Sequence, residues 1–299
     1  MKYLLIIASF LISFDGYAQK ESELLFDKAS TFYYGVDFQD STNINFKRDF
    51  DSSLIYLLRL NKKYPNYRRI ETLDRISVCY FEREDYSKSL AYALRVLPNF
   101  KTNNIESDNY CFECNSACYR IGYIYQLQKQ FEKALLYYDS CSTKYTTLQP
   151  FCSISYFSSK VPLDYNLFTC YQGLGQSKRA LTKLTEYMFD STRNEYLDTA
   201  IVNDYVKLIS TLYSKTEIKN NIQTAIDSMY YKVEIKRNKD GIKYDYKISC
   251  WFNLFGSKVI LTEVEGYGRD TNEVDFWNRK ENFIERIKKS DGYKRLYVL

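Results

Sequence analysis

Apolar residues recur at intervals of three and four along most of this chain and then, near Tyr230, switch to every second position. The first period belongs to helices with one buried face, the second to strands of a half-buried sheet. Leu73, Ile76, Ser77 and Tyr80 make one helical stripe, and Tyr86, Ser89, Leu90 and Ala93 make another that ends near Pro98. Cys118, Ile121, Gly122 and Tyr125 form the next, answered by Ala134, Tyr138 and Cys141. Upstream, Phe50, Ser53, Leu54, Leu57 and Leu60 lead to Pro65, and their partner helix is expected over 21–34, across a polar loop through Ser41, Thr42 and Asn43. Downstream, a helix starting just after Pro162 carries Leu167, Tyr171 and Gly173, and a stripe from Ala180 to Tyr187 follows it. Residues 196–213 and 216–230 predict one further helical pair.

Beyond Tyr230, Tyr231, Val233 and Ile235 alternate with Lys232, Glu234 and Lys236. After a turn at 238–241, Ile242, Tyr244, Tyr246, Ile248 and Cys250 alternate with polar residues, which is the pattern of a β-hairpin. A third strand is expected over 258–265. Asp270 or Thr271 can then cap a helix bearing Phe276, Trp277, Phe283, Ile284 and Ile287. Gly292 is expected to stop that helix, and residues 293–299 to return as a strand, giving a β-β-β-α-β order.

The stretch from Cys118 to Cys141, with Gly122 and Ala134 as small contact residues between two antiparallel helices, resembles a unit of the tetratricopeptide repeat (TPR) family. Three looser units extend the resemblance over about residues 26–189, with Ser77 and Ser89 in the small-residue places of one of them. The units are spaced more widely than the family's roughly 34 residues. The excess falls in 98–109 and 141–160, which read as loops between helix pairs. The resemblance implies a mainly α chain: a TPR-like α-solenoid of helical hairpins over 19–228, its last pair capping an exposed apolar face, then a small α+β domain of no recognised family over 229–299. It also implies a concave groove that holds other polypeptides. The family's groove positions fall here on Asp74, Val78 and Phe81, on Tyr119, Tyr123 and Gln126, and on Tyr165, Thr169 and Gln172.

Ten glycines and four prolines in 299 residues leave little room for a turn-rich sandwich and favour long helices. Hydrophobic residues at 45% supply ample core, and the length suggests roughly two domains. Lys2, an apolar run over 3–14 and the small residues Gly16 and Ala18 make residues 1–18 a signal peptide, the run being short of the ~20 apolar residues that span a bilayer. The Ala18-Gln19 junction resembles leader peptides of Bacteroidota, and no cysteine follows it to carry a lipid. The expected address is the periplasm, the cell envelope or the exterior, with no integral membrane span after signal removal. Loss of Lys2 and Asp15 leaves the formal charge at +5, too modest to suggest nucleic acid. The one dense basic cluster, Lys62-Lys63 and Arg68-Arg69, sits at an expected helix end, where cations suit the last carbonyls.

The chain contains no histidine, which removes the commonest general base, Ser-His and Cys-His nucleophile pairs and most catalytic zinc sites. No carboxylate pair stands out, no cofactor is implied, and the expectation is a non-catalytic protein. Eight cysteines are the sharpest chemical feature, above all Cys111-x-x-Cys114 followed by Cys118. A redox motif, a metal site completed by Cys141 or Cys152, structural disulfides and buried thiols all fit this spacing, and an exported chain favours disulfides. Cys118 and Cys141 fall on facing stripes of one hairpin; a bridge between them would stabilise it by roughly 2–4 kcal/mol. Cys79, Cys170 and Cys250 sit in apolar patterns as core residues.

Thirty-one tyrosines exceed what a core needs. On the resembling groove, Tyr119, Tyr123 and Tyr165 would form an aromatic ladder with amide neighbours, large in area, low in entropic cost and polar at the tip. The expected function is capture of a protein or peptide partner, with envelope association possible through the last domain. The alternative is a glycan-binding accessory, since exported TPR-like proteins of Bacteroidota include sugar binders and tyrosine rings stack on sugars.

Overall fold

The computed structural model describes residues 2–35, 49–97, 112–143, 153–189, 199–237, 244–268 and 279–298. The protein is mainly helical, with a small antiparallel sheet of three strands. It divides into two units, Met1–Phe151 and Cys152–Leu299.

The first unit holds α1 (Lys2–Tyr34), α2 (Phe50–Lys63), α3 (Arg69–Glu82), α4 (Tyr86–Val96), α5 (Phe112–Leu127) and α6 (Phe131–Thr143). Each helix packs on the next, and α3 packs also on α5. Small residues set these crossings. Ser53 Oγ donates to the Ala29 carbonyl at 2.9 Å between α2 and α1. Ser77 Oγ donates to the Ser89 carbonyl at 2.8 Å while Ser89 Oγ donates back to the Ser77 carbonyl at 2.9 Å, so this pair both admits close approach and satisfies its own buried hydroxyls. In α5 the small residue is Gly122, and the group that fills the space opposite it is the Tyr138 ring of α6 rather than Ala134, although Ala134 is also fully buried.

One turn recurs in three hairpins. Between α3 and α4 the Glu84 and Asp85 amides donate to the Phe81 and Tyr80 carbonyls, at 2.9 and 3.0 Å. Lys129 and Gln130 do the same to Gln126 and Tyr125 between α5 and α6, both at 2.9 Å. In the second unit Gly175 and Gln176 bond Gln172 and Tyr171, at 3.0 and 2.8 Å. This is the Schellman closure, which requires a left-handed residue at its centre; Glu84, Lys129 and Gly175 take φ of 60°, 59° and 70°. A cation then folds back over the tyrosine ring of each turn: Lys88 on Tyr80 at 5.2 Å, Lys133 on Tyr125 at 5.3 Å, Arg179 on Tyr171 at 6.0 Å. In the first two, a second tyrosine stacks on that ring, Tyr92 on Tyr80 and Tyr137 on Tyr125. The repeated sequence pattern therefore corresponds to a repeated local geometry.

The second unit contains α7 (Ser153–Gly173), α8 (Ser177–Met188), α9 (Thr199–Leu212), α10 (Lys215–Asp227), β1 (Tyr230–Arg237), β2 (Tyr244–Leu254), β3 (Ser257–Gly268), α11 (Lys280–Lys289) and α12 (Asp291–Val298). Ser214 and Glu217 form a reciprocal capping box that starts α10. The strands run in the order β1-β2-β3, with Val233 opposite Ile248 and Trp251 opposite Ile260. Phe255 and Gly256, both with positive φ, close the β2–β3 hairpin in a two-residue turn. Ile248, Cys250, Phe252 and Leu254 face inward onto one core shared with Leu184, Tyr205, Ile222 and Phe283. The change of period at 229 thus marks a change of element inside a continuous core, which begins well upstream of it.

Several expectations are corrected here. Residues 293–298 are helical, not a strand: Tyr293, Leu296 and Tyr297 repeat at three and four, Leu296 is fully buried, and Ser290 Oγ accepts the Tyr293 amide at 3.2 Å to cap the turn. Gly292 consequently lies inside α12, and α11 ends at Lys289. Helix α7 starts at Ser153 and runs through Pro162, which forgoes one backbone bond there instead of opening the helix. Helix α1 starts at Lys2 rather than near Glu21. The proposed turn at 238–241 and the positions of Asp270, Thr271, Phe276 and Trp277 lie outside the described residues.

Candidate partner-binding surface

Within the first unit the eight-residue groove set contributes Asp74 and Phe81 from α3 and Tyr119, Tyr123 and Gln126 from α5. The structure brings these together through the α3–α5 contact. Phe81 and Tyr123 meet edge to face at 5.8 Å, and Tyr86 of α4 approaches Phe81 in the same manner at 5.6 Å. All three rings are partly exposed, as is Val78 one turn before Phe81. Tyr119 is partly exposed too, its ring tilted at 5.8 Å against the fully buried Tyr138, whose hydroxyl donates to Gln126 Oε1 at 2.8 Å. An uncharged, aromatic strip with an amide at one end results.

Beneath this strip the two helices are fastened by charge. Arg120 donates to Asp74 Oδ1 through both terminal nitrogens, at 3.0 and 3.1 Å, and also to Ser77 Oγ at 3.3 Å and Ser116 Oγ at 2.9 Å. Asp74 is only 5% exposed, so the groove role expected for it gives way to an inter-helix ion pair. Burial pushes the Asp74 carboxyl up to about 6, against the opposing pull of Arg120, with Glu113 and Glu71 adding to the rise and Arg75 reducing it. The carboxylate is charged at neutral pH. Arg75 is itself enclosed, bonded to Ser30 Oγ at 2.6 Å and Tyr34 Oη at 3.1 Å, and stacked 4.5 Å from Phe26.

Tyr165, Thr169 and Gln172 stand on α7 of the second unit, all partly exposed. Tyr165 donates to Asp204 of α9 at 2.8 Å and stacks on Phe168, which fixes its ring to the core of that unit. Thr169 Oγ1 donates to the Tyr165 carbonyl at 2.9 Å, a bond within its own helix. Gln172 supplies the carbonyl that its turn requires.

Arg120, Ser116 and Tyr86 were not among the expected site residues. Arg120 could have been found from Asp74, since a lone carboxylate on an apolar stripe demands a buried cation on the neighbouring stripe. Cys79, Cys118, Cys141, Cys170 and Cys250 are reduced and buried, and burial raises the Cys79 thiol to about 12. Cys114 stands apart from this reduced set, and Cys111 and Cys152 lie outside the described residues.

On the outer face of the sheet, Tyr230 is 41% exposed and stacks on Trp251 at 5.1 Å, while Ile260, opposite Trp251, is 45% exposed. Lys258 Nζ lies 4.7 Å from the Trp251 ring. Among the described residues no helix is long and apolar enough to cross a membrane.

A scan of the chain against protein-family models gives no match, and neither does a search of curated proteins.

Proposed function

We propose that this chain is an exported, non-catalytic binding module whose helical hairpins stack as a TPR-like solenoid and hold a protein or peptide partner on the face bearing Phe81, Tyr119, Tyr123 and Gln126. The edge-to-face contact of Phe81 with Tyr123 carries it: two neighbouring hairpins present rings that are braced by one another and still reach solvent. Braced aromatics bind at low entropic cost, and the strip's lack of charge fits an apolar stretch of polypeptide. The repeated Schellman turn and its cation-covered tyrosine support the repeat reading. Export would remove residues 1–18. Disulfide formation, beginning with Cys114, suits the same address. Tyr119→Ala and Tyr123→Ala should each weaken partner binding at least tenfold in a pull-down from the native envelope followed by titration; unchanged affinity in both would refute the site.

A second reading, glycan binding, is favoured by the Tyr230–Trp251 stack on the outer sheet face, because exposed paired rings are suited to sugar faces. Quenching of tryptophan fluorescence by polysaccharide, lost in Trp251→Ala, would support it. A defined protein partner captured without any polysaccharide signal would exclude it.

A further inference from the structure

The α5–α6 hairpin carries two reduced thiols that the binding surface does not use. Cys118 is fully buried in α5 and Cys141 is 4% exposed in α6. Asn115, one turn before Cys118, pins the same spot: its Nδ2 donates to the Cys141 carbonyl at 3.1 Å, and the Cys141 thiol points to the Asn115 carbonyl at 3.7 Å. The Cys141 sulfur also lies within hydrogen-bonding reach of the Cys118 sulfur. The two sulfurs therefore lie side by side between antiparallel helices.

We propose that Cys118 and Cys141 are an oxidation site, at which an intramolecular disulfide ties α5 to α6 in the hairpin that bears Tyr119 and Tyr123. The co-reactant is a low-molecular-weight or protein disulfide, R–S–S–R. One cysteine thiolate attacks it, forming a mixed disulfide and releasing one RS⁻; the second cysteine attacks the protein sulfur of that mixed disulfide and releases the other RS⁻. The two thiol protons leave with the two released thiols. The new S–S bond replaces the one broken in the oxidant, which takes up the electron pair.

The neighbouring sulfur and burial push the Cys141 thiol up, so the closed hairpin reacts slowly. Cys141 is in the last turn of α6, which ends at Thr143, and opening of that turn provides access. Oxidation should consequently accelerate with pH and with sub-denaturing urea, whereas a thiol pair in a preformed exposed site would gain little from urea.

The test uses the full chain, reduced and then exposed to glutathione disulfide, denatured, alkylated and digested for mass spectrometry. The expected result is a linked peptide pair containing Cys118 and Cys141, neither of them alkylated, and loss of that link in Cys141→Ala and in Cys118→Ala but not in Cys79→Ala. Should either alanine variant fail to fold, the linked pair in the unmodified chain and its acceleration by urea decide the matter alone. Full alkylation of both cysteines, separate glutathione adducts on each, or a link from either one to Cys114 would overturn the proposal.

Discussion

Gly122 offers the sharpest test of how the hairpins pack, because two physical effects predict opposite signs for its replacement by alanine. Intrinsic helix propensity favours alanine over glycine by about 1 kcal/mol in a helix interior. At this position, however, a Cβ would sit 2.7 Å from Cε1 and 2.8 Å from Cδ1 of Tyr138, where ordinary carbon contacts are about 3.5–4.0 Å. The ring has no escape. Tyr138 is fully buried, its hydroxyl is held by Gln126 at 2.8 Å, and Tyr119 lies against it at 5.8 Å. Overpacking of a filled core costs typically 1–3 kcal/mol; contacts this short against a fixed ring put it at about 2–3, from which the propensity gain of about 1 is subtracted. Gly122→Ala should therefore destabilise the protein by about 1–2 kcal/mol in urea unfolding followed by far-ultraviolet circular dichroism. Tyr138→Leu, which removes the clashing ring edge, should make the alanine tolerable, giving a coupling of at least about 1 kcal/mol in a double-mutant cycle. An alanine variant as stable as the parent, or more stable, would show that α5 and α6 do not approach at this point.

Other consequences can be measured in the same way. The left-handed conformation costs a side chain roughly 1 kcal/mol, so Lys129→Gly should stabilise its hairpin by that amount and Gly175→Lys should destabilise by a similar one. Truncating Arg120 to alanine strands a buried carboxylate and should cost about 3–5 kcal/mol, far more than alanine at the exposed Arg83. The Asp74 carboxyl is raised by burial from its usual 3.8 to about 6. The folded state therefore binds a proton that the unfolded state has lost, and this contribution to stability is fully present below the unfolded value and disappears as pH rises through about 6. Unfolding midpoints measured between pH 4 and pH 7 should show that acid-favouring component in the parent and not in Asp74→Asn.

Local order was readable wherever one residue type had one physical role. The alternation through Tyr231, Val233, Ile248 and Cys250 gave the strands and their buried face, since a period of two has no other interpretation. Ser77 and Ser89 were visible as a small-residue crossing, though not the reciprocal hydroxyl bonds that make serine better than alanine there. Gly122 was legible as a close approach, but its true neighbour is an aromatic ring sixteen positions on, which spacing alone does not select. The terminal segment is a helix and not a strand because Tyr293, Leu296 and Tyr297 repeat at three and four, and burial of Leu296 outweighs the helix-stopping tendency of Gly292. Phe81, Tyr119, Tyr123 and Gln126 are partly exposed on α3 and α5, whereas Asp74 is buried against Arg120, a pairing whose only trace in the sequence is a lone carboxylate on an apolar stripe.

The binding proposal is tested most directly by placing a photo-crosslinking amino acid at position 123 and, in a separate protein, at Leu136, an exposed apolar site on α6 outside the aromatic strip. Illumination in the native envelope should yield a discrete crosslinked polypeptide from position 123 and none from 136, and the added mass should disappear when Phe81 is changed to alanine. Equal crosslinking from both positions, or no adduct from 123, would contradict the assignment of this face as the partner's seat.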